Sequence, residues 1–201
     1  LRRDNTITIP TPSDYAEICG RNYVINAPPV PANVIISITG FDNNISISDP
    51  LNPSATISGL NPSPEGLINI IFWNISSGKC TDAVRIRIKS FTPPTTPYLG
   101  SDISFCEKDT VYLNTINSSS VGLVGSLSWR VIPGEGSGTF VNSTSAGTFF
   151  TNIGYGQNKV VLSIANGVCP ILRDTIAIHK YKKPENLIIS NIGSNLCGDT
   201  L

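Results

Sequence analysis

Between Leu67 and Lys89 apolar and polar side chains alternate with a period of two, on both sides of a short polar break. In "LINIIFWNI" Ile71, Trp73 and Ile75 share one face, and in "VRIRIK" Val84, Ile86 and Ile88 alternate with Arg85, Arg87 and Lys89. A period of two marks half-buried strands. The same pattern returns in "QNKVVLSIA", where Val160, Leu162 and Ile164 align, and downstream, where Ile176 and Ile178 alternate with Thr175, Ala177 and His179. Like charges along the outward side of "VRIRIK" suit an edge strand, because they discourage stray pairing. Helical periodicity is hard to find: its nearest candidate, Asp14 to Ile18, is too short and follows Pro10 and Pro12.

These strands belong to a repeat. "NISSGKC" ending at Cys80 lies over "SIANGVC" ending at Cys169, an offset of 89, while "ICGRNYVI" around Cys19, "FCEKDTVYL" around Cys106 and "NLCGDTL" around Cys197 recur at offsets of 87 and 91. "LRRDNTITI" at the start resembles "ILRDTIAI" at 171–178. Proline-rich connectors follow each last strand, at Pro10, at "TPPTTP" ending at Pro97 and around Pro184, and read as short, stiff linkers. The order expected is the last strand of a preceding repeat at 1–9, repeat 1 at 10–92, repeat 2 at 93–182, and the start of a third at 183–201. In repeat 2 the pattern predicts seven strands, at 98–104, 110–115, 126–132, 139–142, 146–151, 159–165 and 174–181, the number expected of an immunoglobulin-like sandwich. A domain of this size buries only about 60–65% of its unfolded surface, so covalent or neighbour support matters.

Composition sharpens this picture. Fifteen Pro, seventeen Gly and an Ile- and Val-rich apolar set are those of an all-β chain. Fourteen Lys and Arg balance fourteen Asp and Glu, so no net field draws the chain to nucleic acid or an anionic membrane. No apolar run reaches the roughly 18 residues of a membrane helix, and neither end carries a signal-peptide pattern. Any export signal or anchor is expected outside this piece, whose ends, without Met, read as cut from something longer.

The succession of cysteine, polar turn, "DTVYL", Trp129, a Gly-rich stretch, "VVLSIANGVC" and "RDTIAI" resembles the tandem PKD-like and immunoglobulin-like repeats of large Bacteroidetes surface proteins, including gliding-motility adhesins exported by type IX secretion. Repeat 1 departs from it, lacking a Trp matching Trp129 and the "DT" after Cys19. The resemblance implies tandem antiparallel β-sandwiches, an extracellular, outer-membrane-associated location, and a non-enzymatic stalk or filament segment with no cofactor. Its partners would be neighbouring repeats, surface polysaccharide or other adhesin subunits. The alternative is a carbohydrate-binding or spacer module of a multidomain secreted enzyme. The resemblance also makes the Asp-Thr-aliphatic triplets, with Thr110, Thr175 and Thr200, candidate O-glycosylation sites; the plain reading is that Asp-Thr starts a strand.

Catalytic chemistry has few places to reside. His179 is the only histidine and by alternation faces outward, and no nucleophile-elbow pattern is present. "GEGSG" at 134–138 lacks the Lys and helix of a phosphate loop and reads as a flexible inter-strand loop. Asp42, Asn43 and Asn44 offer oxygens to calcium, yet without the rest of a coordinating loop they read as a turn, and no metal is expected. Asn44, Asn74, Asn117 and Asn142 head sequons, which a Ser- and Asn-rich chain also produces by chance. Trp73 and Trp129 read as core.

Five cysteines in an exported chain should mostly be oxidised. Pairing within repeats, Cys19 with Cys80 and Cys106 with Cys169, would enclose immunoglobulin-like loops. In a sandwich, however, the second and sixth strands run the same way, and one cysteine precedes the second strand while the other follows the sixth. Such a pair is separated by about 20 Å, beyond the roughly 7 Å a disulfide spans. End-to-end stacking instead brings Cys19 to Cys169 and leaves Cys80, Cys106 and Cys197 for repeats before and after. The intra-repeat pairs stay open if the segments before Cys19 and Cys106 fold back to the other end.

Overall fold

The computed structural model describes residues 11–185 apart from 28, 33, 42, 43, 79 and 116–121. The expected strand at 1–9 and most of the third-repeat start therefore lie outside the described residues. Within them no helix occurs and fourteen strands form four sheets. The first seven are β1 (Tyr15–Cys19), β2 (Tyr23–Val24), β3 (Ile35–Gly40), β4 (Ser46–Ile47), β5 (Thr56–Ser58), β6 (Leu67–Ser77) and β7 (Cys80–Phe91). They pair as β1-β7-β6-β3 and β2-β5-β4 around one core that includes Ile36, Ile38, Ile57, Ile71, Trp73, Ile86 and Ile88. The next seven repeat the plan: β8 (Ile103–Cys106), β9 (Thr110–Asn114), β10 (Ser126–Val131), β11 (Thr139–Phe140), β12 (Gly147–Thr151), β13 (Gly156–Ala165) and β14 (Leu172–Tyr181). Their sheets, β10-β13-β14-β8 and β11-β12-β9, enclose a second core with Val111, Trp129, Phe150, Val160, Leu162, Ile176 and Ile178. These are two immunoglobulin-like sandwiches in tandem.

Pairing between these strands is antiparallel except that the first strand of each sandwich runs parallel to the last, β1 along β7 and β8 along β14. This arrangement changes two expectations. β1 covers β7 over 87–91, so the charged face of "VRIRIK" borders an open edge only along the first part of that strand. The strand expected at 98–104 starts late, at Ile103, because Gly100 turns the chain with φ 80° and carboxylates stand in for the ladder there. The Leu99 amide donates to Asp174 (2.8 Å) and the Ala177 amide to Asp102 (2.9 Å).

The two tryptophans occupy one structural position from opposite sides. Trp73 on β6 faces Ile38 on β3, whereas Trp129 on β10 faces Leu162 on β13. Each sandwich thus places one indole and one aliphatic chain in the same cross-strand pair, which keeps volume while exchanging strands. The surroundings differ: Trp129 Nε1 donates to the Ser145 carbonyl at 2.8 Å, while Trp73 Nε1 is buried with no partner among the described residues.

A buried asparagine opens the sixth strand of both sandwiches. Asn69 lies in phase with Ile71, Trp73 and Ile75, and Asn158 with Val160, Leu162 and Ile164, so both amides point inward. Asn69 Nδ2 donates to the carbonyls of Asn61, Leu67 and Ile88, and its Oδ1 accepts from the Asn61 amide at 2.8 Å. Asn158 Nδ2 donates to Gly154, Gly156 and Ile178, and its Oδ1 accepts from Ser137 at 2.8 Å. One side chain thereby closes an incoming loop onto the sixth and seventh strands. The "GEGSG" loop is consequently packed rather than loose: a Cβ at Gly138 would lie 2.2 Å from the Phe150 ring, and one at Gly136 2.5 Å from Asn158.

Two stability outcomes are expected in urea denaturation. Asn158→Leu leaves the Ser137 amide and the Gly154, Gly156 and Ile178 carbonyls without this partner, the bond to Ile178 being the buried one, and should lose about 2 kcal/mol; a loss below about 1 kcal/mol contradicts the closing role. Trp129→Phe breaks the bond to Ser145, whereas Trp73→Phe removes a donor that had no partner, so the Trp129 variant should be the less stable by about 1 kcal/mol.

The bridged junction as candidate functional site

β1 ends at Cys19 beside Phe91, the last residue of β7. The chain then turns at Gly20, φ 88°, whose amide donates to the Phe91 carbonyl at 2.8 Å and whose own carbonyl accepts from Ser90 Oγ. Cys19 is therefore fixed at the end of the sandwich from which the linker departs. That linker is held on both sides, the Thr92 amide donating to Ser63 in the first sandwich and the Thr95 amide to Val124 in the second. Pro93 and Pro94 stiffen the step between them.

The turn at 166–169, joining β13 to β14, meets this end. Its Cys169 amide closes onto the Asn166 carbonyl at 2.9 Å, and Asn166 Nδ2 donates to the Thr92 carbonyl at 2.7 Å. Gly167 lies on the Phe91 ring with φ 50°; a Cβ there would come within 2.5 Å of the ring, so only glycine fits. Phe91 is otherwise buried, with Lys89 Nζ 4.8 Å from its centroid. At the centre Cys19 and Cys169 form a disulfide, with Cα atoms 4.8 Å apart across a sequence separation of 150. Cys169 Sγ also lies 3.7 Å from the Thr92 carbonyl oxygen, a contact only, since a bridged sulfur carries no proton.

Cys80 and Cys106 are free and exposed, and Cys197 lies outside the described residues. The intra-repeat pairs are not formed, and strand direction gives the reason. Cys80 begins β7 and Cys19 sits at its far end beside Phe91, a span of more than about 30 Å at strand rise. Cys169 precedes β14 and Cys106 lies beside Tyr181 at its far end.

The other sequence candidates are scattered. Thr110 is half-buried at the start of β9, and the preceding Asp109 pairs with Lys180. Thr175 is exposed on β14, and Asp174 before it accepts from the Leu99 and Thr175 amides. Both aspartates thus have structural employment. Thr200, Asp42, Asn43 and Asn117 lie outside the described residues, and Asn44 sits exposed in a turn. Asn74 bonds across to β3, and Asn142 closes a turn onto the Thr144 amide. His179 stacks on Tyr181 with 6.2 Å between centroids. Trp73 and Trp129 are core residues. Among the described residues no group of three or more His, Cys, Asp or Glu is placed to hold a metal, and no helix is long and apolar enough to cross a membrane.

Sequence reasoning missed Lys180. It continues the inward phase of Ile176 and Ile178, is 5% exposed, and donates to Asp109 and to the Ile153 carbonyl while lying 4.5 Å from the Tyr155 ring centroid. Its hydrogen bond to Asp109 raises its pKa, which keeps it a cation and a poor nucleophile. Beside it Glu107 holds φ 55°, unusual without glycine, and accepts from the Lys183 amide at 2.8 Å and Tyr155 OH at 3.0 Å. The bond from Lys183, then that from Tyr155, lowers the Glu107 pKa.

No known family profile matches the chain, and no curated protein matches it. Similarity appears among solved structures. Extracellular domains 3–5 of Drosophila OTK align over 87% of this chain and 61% of their own length, at 11% identity and TM-score 0.53. The eight N-terminal immunoglobulin domains of Down syndrome cell adhesion molecule align over 83% of this chain and 23% of theirs, at 12% identity and TM-score 0.47. The PKD domain of the KIAA 1837 protein covers 45% of this chain and 92% of its own, at 16% identity and TM-score 0.39. At such identities the likeness concerns fold, and the OTK alignment carries it: the chain has the architecture of tandem immunoglobulin-like domains.

Proposed function

We propose that this chain is a non-enzymatic, load-bearing repeat segment of a large adhesin, a stalk or filament held outside the cell in the manner of the gliding-motility adhesins it resembles. The observation that carries the reading is the position of the bridge. Tension entering along β1 reaches Cys19, crosses to Cys169 and leaves along β14, so residues 20–168 lie inside a covalent loop and off the load path. Pulling on the ends therefore cannot extend residues 20–168, which hold the first core apart from β1 and the second apart from β14, and the bound linker limits bending at the junction. Neighbouring repeats are the first partners on this reading, with surface polysaccharide or other adhesin subunits beyond them. Thr110, Thr175 and Thr200 remain the proposed O-glycosylation positions, of which Thr175 is the exposed one among the two described.

Force spectroscopy through the two ends tests the load path. Cys169→Ser should show two unfolding steps of about 300 Å each, the extended length of one sandwich, and the oxidised chain should show neither. Steps of that size in the oxidised chain would remove the basis of the proposal.

A second reading rests on one observation. Tyr112 and Phe149 face each other across β9 and β12, 5.1 Å between centroids, and are 55% and 49% exposed on the outer face of their sheet. The rings meet edge to face at 60°, and exposed aromatics of this kind offer a ring face to a sugar, as a carbohydrate-binding or spacer module of a secreted enzyme would require. On a glycan array the native chain should then retain a polysaccharide that Tyr112→Ala loses; equal binding by both, or none, rejects this reading.

A further inference from the structure

The junction inside the chain is built from two halves, and each half recurs at an outer end, without a docked partner among the described residues. Its first half is a cysteine beside the last residue of the last strand, followed by a residue of positive φ. Cys19 pairs with Phe91, and the Gly20 amide donates to Phe91 at 2.8 Å. At the far end of the second sandwich Cys106 pairs with Tyr181, and the Glu107 amide donates to Tyr181 at 3.1 Å. The aromatic platform recurs as well: Phe91 over Lys89 becomes Tyr181 over His179. Phe91 is covered by Gly167, whereas Tyr181 is 54% exposed and Cys106 is free.

The second half is a turn in which glycine of positive φ stands two residues before a cysteine. Gly167 with φ 50° precedes Cys169; Gly78 with φ 60° precedes Cys80. Gly167 is pressed on Phe91, but nothing lies within 4 Å of a Cβ placed on Gly78, and Cys80 is exposed. A contact that joins unlike ends of like units is heterologous and continues along a line. Beside the vacant platform, Glu107, Tyr155, Lys182, Lys183, Pro184 and Glu185 line an open cleft of about 680 Å³, with room for the flanks of such a turn.

We propose that the Cys106 end is a docking socket for the Gly-x-Cys turn of another repeat of this kind, closed by a disulfide from Cys106. In this chain Gly78 and Cys80 carry that pattern. In the closing step two thiols lose two protons and two electrons to a small-molecule disulfide, which is reduced to two thiols as the new S–S bond forms. This inference rests on the stalk reading and names what that stalk binds end to end.

The test uses two full-length variants lacking Cys197: Cys80→Ser/Cys197→Ser, which keeps Cys106, and Cys106→Ser/Cys197→Ser, which keeps Cys80. They are mixed in equal amounts in reduced and oxidised glutathione, and the products are separated without reductant. Random oxidation gives as much mixed dimer as the two like dimers together. Docking should favour the mixed dimer on the order of tenfold, the bias that ~1.4 kcal/mol supplies. Gly78→Val in the Cys80 partner, or Tyr181→Ala in the Cys106 partner, should return the mixture to random. Both positions are exposed, and retention of the Cys19–Cys169 bridge checks that each variant is folded. A random mixture from the parent pair, or a bias indifferent to both substitutions, overturns the socket. Cross-linking failure with an intact load path rejects the socket alone, and two unfolding steps in the oxidised chain with biased cross-linking reject the stalk alone.

Discussion

Parallel pairing of the first strand with the last governs the rest of this molecule. Because β1 runs along β7 in the same direction, Cys19 arrives where β7 ends, and that is also where the chain departs for the second sandwich. An antiparallel first strand would end beside Cys80, at the opposite end, and an intra-repeat disulfide would become the easy one. Direction therefore decides whether cysteine chemistry staples a domain to itself or to its neighbour. The gain from the neighbour bridge is large in chain-entropy terms: closing a loop of 150 positions limits the unfolded state by about 5 kcal/mol in a model-dependent estimate. That support suits two small sandwiches, each of which has a modest core.

The repeats preserve arrangement more faithfully than residues. Position in the core is kept by cross-strand volume, as the exchange of indole between β6 and β10 shows. The inward asparagine is kept by hydrogen-bond demand, since the loop passing over the sandwich end presents part-buried carbonyls that its amide satisfies. A hydrophobic position can be satisfied by many pairs, while the asparagine supplies donors and an acceptor that no aliphatic residue replaces.

Legibility in the sequence follows the same division. Period-two alternation revealed the long strands because their inward faces are unbroken. The pairing of Cys19 with Cys169 came from strand direction, a property of the sandwich rather than of any local motif. Less was legible where side chains take over from the backbone ladder. Asp102 and Asp174 accept amides that a regular first strand would have bonded, so 98–102 is fastened to the sandwich without being a strand. Lys180 escaped notice because a lysine in an inward phase normally reads as outward, and only its bonds to Asp109 and Ile153 explain its burial. Cys106 and Cys19 hold the same place in their sandwiches, each beside the last residue of the last strand; the difference lies in what is docked against each.

The junction also explains why a glycine and an aromatic ring accompany the disulfide. A lone S–S bond permits rotation about its several torsions, so it tethers without orienting. Here the Gly167 backbone lies flat on Phe91, Asn166 anchors to Thr92, and the linker is bonded to both sandwiches. These contacts are individually weak, yet the bridge adds a second, shorter tether to the linker and raises the effective concentration of each. Conversely, they hold the two sulfur atoms together, so that re-forming the bridge after reduction requires no search. Covalent and packing restraints therefore depend on each other, and neither alone would give two small sandwiches a fixed relative direction.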